Sequence, residues 1–255
     1  MPMKKYLRAF ALCALSPRLA TAQEAKTPVV LEKVTYSRAI PKGLRAFVPR
    51  GGKSRFWGAT NLQYNGQKVW VHFYDISRAK WIKPKEKKPY CLQKSGLDLF
   101  TISKSRRLNR ISSTHFEYQR WDIDDRGVIY EGRRPQSIGV DTLWLDPKTK
   151  KLPIIKITLS GASGLMFEEE RILIILDRRL RNGIVQQGFV SGASGDGATI
   201  YELAVSFGGV DERGFALITE SRIDEGSTKF TTYKWDGKKF AIGSETYEAR
   251  EQREQ

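Results

Sequence analysis

The chain is poor in the side chains that build most metal and nucleophilic sites. It has two histidines, His72 and His115, two cysteines and three methionines among 255 residues. Zinc sites usually need four closely spaced Cys or His ligands, so the usual zinc patterns are excluded. The segments 161–165 and 192–196 each lack the final glycine of the G-x-S-x-G hydrolase elbow. We therefore expect no metal and no cofactor, and the sequence assigns no catalytic residue.

The N-terminus has the pattern of a secretory signal. Residues 1–22 begin with cations, continue with a short apolar run at 9–15 and end on Ala20-Thr21-Ala22, small residues of the kind that precede a cleavage site. The apolar run is too short for a membrane span, which needs about 20 residues. The sequence predicts export to the periplasm or the extracellular space. Cys91 is then the only cysteine left, so we expect no disulfide within the chain.

Residues 23–244 are predicted to form a single β domain without a membrane span. Short runs rich in β-branched and aromatic residues alternate with turn signals, of which Asn65-Gly66 is the clearest hairpin. The run 69–74 is apolar on both faces, which indicates a strand covered on both sides. We expect an all-β, antiparallel meander of about a dozen or more short strands, arranged as a propeller or as two sheets, with little helix.

Three segments are less regular. Residues 168–182 carry acids first and cations last, as a helix does, but the run 172–176 is continuously apolar and rich in Ile. A strand is preferred there and a helix is the alternative. Residues 78–94 contain two prolines and many lysines, which predicts a basic loop or insertion. Residues 245–255 are predicted to be a polar C-terminal tail.

The strongest functional signal is positive charge. The formal charge of +16 becomes +12 without the predicted signal, and residues 78–116 carry eleven Lys or Arg but only two acids. Such a stretch attracts polyanions, and aromatic residues within it can stack on flat rings. The candidate polyanion-binding residues are Lys80, Trp81, Lys83, Lys85, Lys87, Lys88, Tyr90, Lys104, Arg106, Arg107 and Arg110. The alternative interpretation is a solvated loop that keeps the protein soluble or protects a sheet edge.

These features favour an exported, non-catalytic protein that binds an anionic polymer or another cell-envelope component through residues 78–116. One alternative is an envelope enzyme that cleaves polysaccharide with paired carboxylates, whose spacing in space the sequence does not give. Another is a nucleic-acid binder, which predicted export disfavours. The sequence gives no oligomeric state.

Overall fold

The described residues form two antiparallel β-sheets and one short 3₁₀ helix, Lys42–Phe47. The computed structural model describes residues 32–82, 85, 90–121, 137–163, 166–181, 183–195, 200–224 and 227–249. The predicted all-β, antiparallel fold is confirmed, and of the two arrangements expected, the chain adopts the two-sheet one.

The first sheet, the N-sheet, is formed by the earlier part of the chain. Its strands are β2 (Thr35–Tyr36), β3 (Lys53–Tyr64), β4 (Gln67–Asp75), β5 (Lys80–Ile82), β6 (Tyr90–Ile102) and β7 (Leu108–Trp121). The long strand β6 lies between β7 on one edge and β4 and β5 on the other, where β4 and β5 pair with successive parts of it.

The second sheet, the C-sheet, is a nine-stranded meander. Its strands are β1 (Glu32–Lys33), β8 (Ser137–Asp146), β9 (Lys151–Ser163), β10 (Met166–Ile175), β11 (Ile184–Gly195), β12 (Ile200–Val210), β13 (Ala216–Asp224), β14 (Ser227–Trp235) and β15 (Phe240–Ala249). Apart from β1, which pairs with β8, each strand follows its sequence neighbour in the sheet.

The Asn65-Gly66 hairpin forms as expected. Both residues have positive φ, 50° and 73°, the conformation that a type I′ turn requires and that Asn and Gly tolerate. The turn joins β3 to β4 and sets the alternation of β4. Val69, Val71 and Phe73 therefore face the other sheet, while Trp70, His72 and Tyr74 face away from it. The prediction that both faces of this strand are covered is confirmed, because all of these residues except Trp70 are buried.

The main core lies between the sheets, and β10 is buried on both faces. Ile172 and Ile174 pack into the cluster shared with the N-sheet. Leu173 and Ile175, on the opposite face, join a second cluster with residues of β13 to β15 such as Ile218. A strand covered on both sides needs apolar residues at every position. This explains the continuous apolar run, and the preferred strand assignment within 168–182 is confirmed.

The second cluster exists because the C-sheet curls back on itself. The rings of Phe189 on β11 and Tyr233 on β14 meet at 5.3 Å although the two strands are not neighbours. The side chain of Gln186 donates to the carbonyl of Phe240 at 2.6 Å and accepts from its amide at 2.7 Å. Through these two hydrogen bonds the side-chain amide of Gln186 on β11 satisfies the backbone N–H and C=O of Phe240 on β15, which a paired strand would otherwise do.

Other segments differ in detail from the sequence expectation. The range 78–94, expected as a basic loop, includes β5 and the first residues of β6. The expected tail 245–255 begins inside β15, which continues to Ala249 because it pairs with β14. The sequence also predicts a strand at 128–133, and this range lies outside the described residues.

The double burial of β10 can be tested with two adjacent substitutions. We expect Leu173→Ala and Ile174→Ala each to lower the free energy of unfolding by about 2–5 kcal/mol, because each opens a cavity in a different core cluster. In a strand with one solvated face, only one of the two would have this effect. Ile242→Ala is the control, since Ile242 is 61% exposed. Urea unfolding measures all three, and a neutral result at either 173 or 174 would contradict the layered arrangement.

Candidate functional site

Charge is divided unequally between the two sheets. Residues 33–116, which contain nearly all of the N-sheet, carry nineteen Lys or Arg and three acids. Residues 137–249, which form β8 to β15, carry fourteen Lys or Arg and sixteen acids. The positive excess of the chain therefore belongs to the N-sheet, and an anionic partner would be drawn to that side.

One end of the N-sheet concentrates exposed cations. Pairing of Val69 with Thr101 and of Ile102 with Leu108 places the β3–β4 and β6–β7 turns at the same end. The 3₁₀ helix covers the outer face there, where Leu44 packs with Trp57 and Phe100. The exposed cations at this end, which we call the basic end, are Lys42, Arg45, Lys68, Lys104, Arg106 and Arg107.

The cations of the basic end have no acidic partner among the described residues. The two chain segments that meet there, 42–74 and 99–116, contain no Asp or Glu at all. Across the described ranges, none of the six cations lies within ion-pair distance of a carboxylate. Like charges without counter-charges repel one another, so an anion bound across them would be stabilised by several cations together.

The structure divides the residues predicted for polyanion binding between two ends of β6. Lys104, Arg106 and Arg107 lie at the basic end, whereas Lys80 pairs with Leu92 near the other end, about 30 Å away at about 3.3 Å per residue. Exposed Lys85 follows β5. Three predicted residues, Lys83, Lys87 and Lys88, lie outside the described residues, and the side chains of Trp81 and Tyr90 are likewise not described.

Arg110, the last predicted residue, belongs to a different environment. It lies on the outer face of β7 with its guanidinium 5.4 Å from the Phe47 ring centroid, and Nη1 is 3.6 Å from Oδ2 of the fully buried Asp98. Apart from this contact, Asp98 Oδ2 has no hydrogen bond from the described residues. Arg110 therefore partly compensates a buried carboxylate, which limits its availability to a partner.

Asp98 is the centre of a polar network with Tyr74, Ser113 and His115. Its Oδ1 accepts from Ser113 Oγ at 2.5 Å and from Tyr74 Oη at 3.2 Å. His115 Nε2 lies 3.2 Å from the Tyr74 hydroxyl and 3.3 Å from that of Ser113. Each hydroxyl has one hydrogen and gives it to Asp98, so His115 Nε2 must carry the hydrogen of its own contacts. Ser113 and His115 are exposed, whereas Tyr74 and Asp98 are buried.

Two local features of the strands allow this network. A Cβ on Gly96 would lie 2.5 Å from Tyr74 Cζ, so the missing side chain lets the tyrosine ring cross β6. A bulge follows on β7, where Leu99 pairs with Ser112 but Phe100 pairs with Arg110. The extra residue brings Arg110 and Ser113 to the same face although they are three positions apart.

Burial shifts the titration of these groups. It raises the pKa of Asp98 above its usual value, although Ser113 and Arg110 oppose the shift. Burial and the charge of Asp98 raise the pKa of Tyr74 to about 12. The arrangement differs from a Ser-His-Asp triad, because the serine hydroxyl bonds the carboxylate directly and the imidazole does not lie between them. It holds a hydroxyl and an imidazole at the surface as hydrogen-bonding groups.

A separate cavity of about 200 Å³ lies on the C-sheet, and we call it the C-sheet cavity. It is formed by side chains from three adjacent strands, β13, β14 and β15. The residues that line it are Glu220, Arg222, Lys229, Thr231, Tyr233, Ile242 and Glu245.

Within the cavity the two carboxylates act as acceptors. Tyr233 Oη donates to Glu220 at 2.7 Å, and Lys229 Nζ is 2.8 Å from Glu245. The Lys229 hydrogen bond holds the pKa of Glu245 below its usual value. Cleavage of a glycosidic bond needs one protonated carboxyl as general acid. Two carboxylates that already accept hydrogen bonds supply binding groups instead, so the geometry gives the paired-carboxylate enzyme no support here.

Sequence reasoning missed the cavity and half of the basic end. The three cations of the basic end outside 78–116, Lys42, Arg45 and Lys68, belong to a stretch without acids between Glu32 and Asp75, and this gap was the available signal. The cavity had no such signal, because Ile242 and Glu245 have a spacing that places residues on opposite faces of a regular strand.

His72 provides a pH test of the buried outer face. The imidazole is fully buried and binds Ser54 at 2.9 Å, and burial lowers its pKa from 6.5 to about 4. Between these two values the unfolded chain binds a proton that the folded chain does not, so stability falls as the pH drops from about 6.5 to about 4. We expect His72→Gln to remove about 2–3 kcal/mol of this loss. Urea unfolding at several pH values measures it, and parallel curves for the two proteins would contradict the assignment.

Gly96 provides a steric test of the polar network. We expect Gly96→Ala to destabilise the fold by about 1–3 kcal/mol, because the new methyl group must displace the Tyr74 ring. Gly139→Ala is the matched control in a strand, since its Cβ would lie 3.7 Å from Thr158 Cβ, an ordinary contact. Thermal unfolding compares the two, and equal stabilities would show that Tyr74 does not require the glycine.

Comparison with known proteins adds no further constraint. No family model, no curated protein and no solved structure matches the chain. Among the described residues, no helix is long and apolar enough to cross a bilayer, and no group of three or more His, Cys, Asp or Glu is placed to hold a metal ion. The chemistry of the basic end and of the C-sheet cavity is therefore what bears on function.

Proposed function

We propose that the protein is an exported, non-catalytic binding protein that holds an anionic envelope or extracellular polymer at the basic end of the N-sheet. The observation that carries this proposal is the group of six exposed cations that have no acidic partner in the described part of the chain and that belong to segments without any acid. A polymer with repeated negative charges gains from contacting several such cations at once, because each contact releases counterions.

The polar network supports the same surface. Arg110, Ser113 and His115 lie on the outer face of β7, which begins at the β6–β7 turn of the basic end. The hydroxyl and the imidazole are exposed and held in place by buried Asp98 and Tyr74. The two residues pair with Asp98 and Gly96, four and six residues along β6 from Ile102, and so lie between the basic end and Lys80. Hydrogen bonds to these groups can favour one kind of anionic polymer over another.

The division of the predicted residues narrows the proposal. Lys80 and Lys85 lie far along β6 from the basic end, so one short ligand would not contact both groups. A polymer that follows β6 could reach both, and the basic end then provides the larger share of the binding. Nucleic acid carries the same repeated negative charge as an anionic polysaccharide. Binding of nucleic acid is therefore one of the outcomes of the test.

The test compares dextran sulfate with uncharged dextran, which differ in charge and share a backbone. We expect dextran sulfate to bind, with an affinity that falls steeply as NaCl is raised. We expect Lys104→Gln combined with Arg107→Gln to weaken binding about tenfold and to reduce the slope of log Kd against log salt by about two, one for each cation removed. Fluorescence titration at several salt concentrations measures both quantities.

The matched control is Lys238→Gln combined with Lys239→Gln, which removes two exposed cations from a turn of the C-sheet. We expect this variant to bind dextran sulfate almost as the unmodified protein does. Equal losses in the two double variants, or binding that does not respond to salt, would reject the basic end as the contact surface. Tighter binding of single-stranded DNA than of dextran sulfate would favour the nucleic-acid alternative.

A further inference from the structure

We infer that the C-sheet cavity is a second binding site, which takes one unit of an uncharged saccharide. The cavity lies on a different sheet from the basic end and shares no residue with it. The inference therefore does not depend on the proposed polyanion site, and either site can fail without the other.

The cavity is organised as rows of side chains across β13, β14 and β15. Glu220, Thr231 and Glu245 form the middle row, because Thr231 pairs with both glutamates. The row on one side is Ile218, Tyr233 and Ile242, of which Ile218 is buried in the second core cluster. The cavity thus has polar groups in its centre and an apolar wall along one side.

The row on the other side carries the lining cations Arg222 and Lys229, and the ring of Tyr247 lies next to Lys229, outside the lining itself. Arg222 pairs with Lys229, and Lys229 pairs with Tyr247. The ammonium of Lys229 lies 5.6 Å from the Tyr247 ring centroid, and Tyr247 is 65% exposed. An exposed flat ring beside polar groups suits the apolar face of a sugar ring, which packs on aromatic side chains.

A bulge makes this arrangement possible. Thr232 pairs with Ser244 but Tyr233 pairs with Ile242, so Gly243 is the extra residue on β15. Ile242 and Glu245 therefore face the same cavity although they are three positions apart. Bulges occur often beside binding sites because they redirect a side chain, and here the redirected pair supplies the apolar and the acidic group of one site.

The charges of the cavity select the class of ligand. Glu220 and Glu245 balance Arg222 and Lys229, so the lining has no net formal charge. A strongly charged ligand would meet as many like as opposite charges and would gain little. Neighbouring hydroxyl groups each donate and accept a hydrogen bond, and they can use the carboxylates and the cations together. A neutral polyhydroxyl compound matches this lining better than an anion does.

The size of the cavity limits how much of the ligand it holds. Its volume of about 200 Å³ is below the ~300–1,000 Å³ typical of sites for drug-sized ligands. One sugar ring is therefore the largest unit that we expect to enter. The rest of a longer chain would extend along the exposed edge strand β15, where residues 243–249 are all exposed.

The test is titration of the full chain with maltohexaose, cellohexaose, xylohexaose and chitohexaose in about 0.5 M NaCl, where the Debye length is below about 5 Å and polyanion binding is suppressed. We expect at least one of the four to bind with a Kd below about 10 mM, and we expect no change in that Kd at lower salt. Isothermal titration calorimetry measures it.

Two variants connect binding with the cavity. We expect Glu245→Gln to weaken binding at least tenfold, and Tyr233→Phe, which removes only the hydroxyl, to weaken it about threefold to tenfold. Glu248→Gln is the matched control on the same exposed strand, since Glu248 pairs with Thr228 on the opposite face. We expect it to bind unchanged.

Three results would overturn the inference. The first is that none of the four oligosaccharides binds. The second is that Glu245→Gln and Glu248→Gln bind equally well while both remain folded by circular dichroism. The third is binding that disappears in the Lys104→Gln and Arg107→Gln double variant, which would place the saccharide at the basic end.

Discussion

The burial of strand β10 on both faces is the constraint on which the rest of the structure depends. All five residues from Ile172 to Leu176 are at most 3% exposed, so neither face of the strand can be left to solvent. The N-sheet covers one face, and the curled end of the C-sheet covers the other. The polar network lies on the outer face of the N-sheet, whereas the C-sheet cavity opens on the inner face of β13 to β15, beside Ile218 of the second core cluster.

The polar network and the C-sheet cavity depend on the same local feature, a β-bulge. In β7 a bulge aligns Arg110 with Ser113, and in β15 a bulge aligns Ile242 with Glu245. A regular strand alternates its side chains, so residues three apart would point in opposite directions. Each bulge adds one residue to its strand, so the two side chains on either side of it point to the same face of the sheet.

The buried polar groups on the outer face of the N-sheet oppose a fold that depends on apolar burial. Asp98 and His72 are fully buried, and each keeps one polar atom without a hydrogen bond from the described residues. Such groups cost stability, since their desolvation is not fully compensated. The polar network in return fixes Ser113 and His115 at the surface part-way along β6, and groups that are already fixed lose less entropy when a partner binds.

The sequence by itself determined the β class, the main strands and the local excess of cations. Alternation, turn residues such as Asn65-Gly66 and charge counts are properties of short segments, and short segments can be read without knowing what they contact. It also favoured a strand over a helix for the run 172–176, because continuous Ile and Leu do not follow the 3.6-residue period of a helix.

Only the tertiary structure decided which residues form a site. It brought Lys42, Arg45 and Lys68 next to the β6–β7 turn, and it separated Lys80 from Lys104, because strand pairing places distant segments side by side and the ends of one long strand apart. It created the C-sheet cavity through pairing register and one extra residue at Gly243. Register and bulges depend on the partner strand, so no pattern within a single strand specifies them.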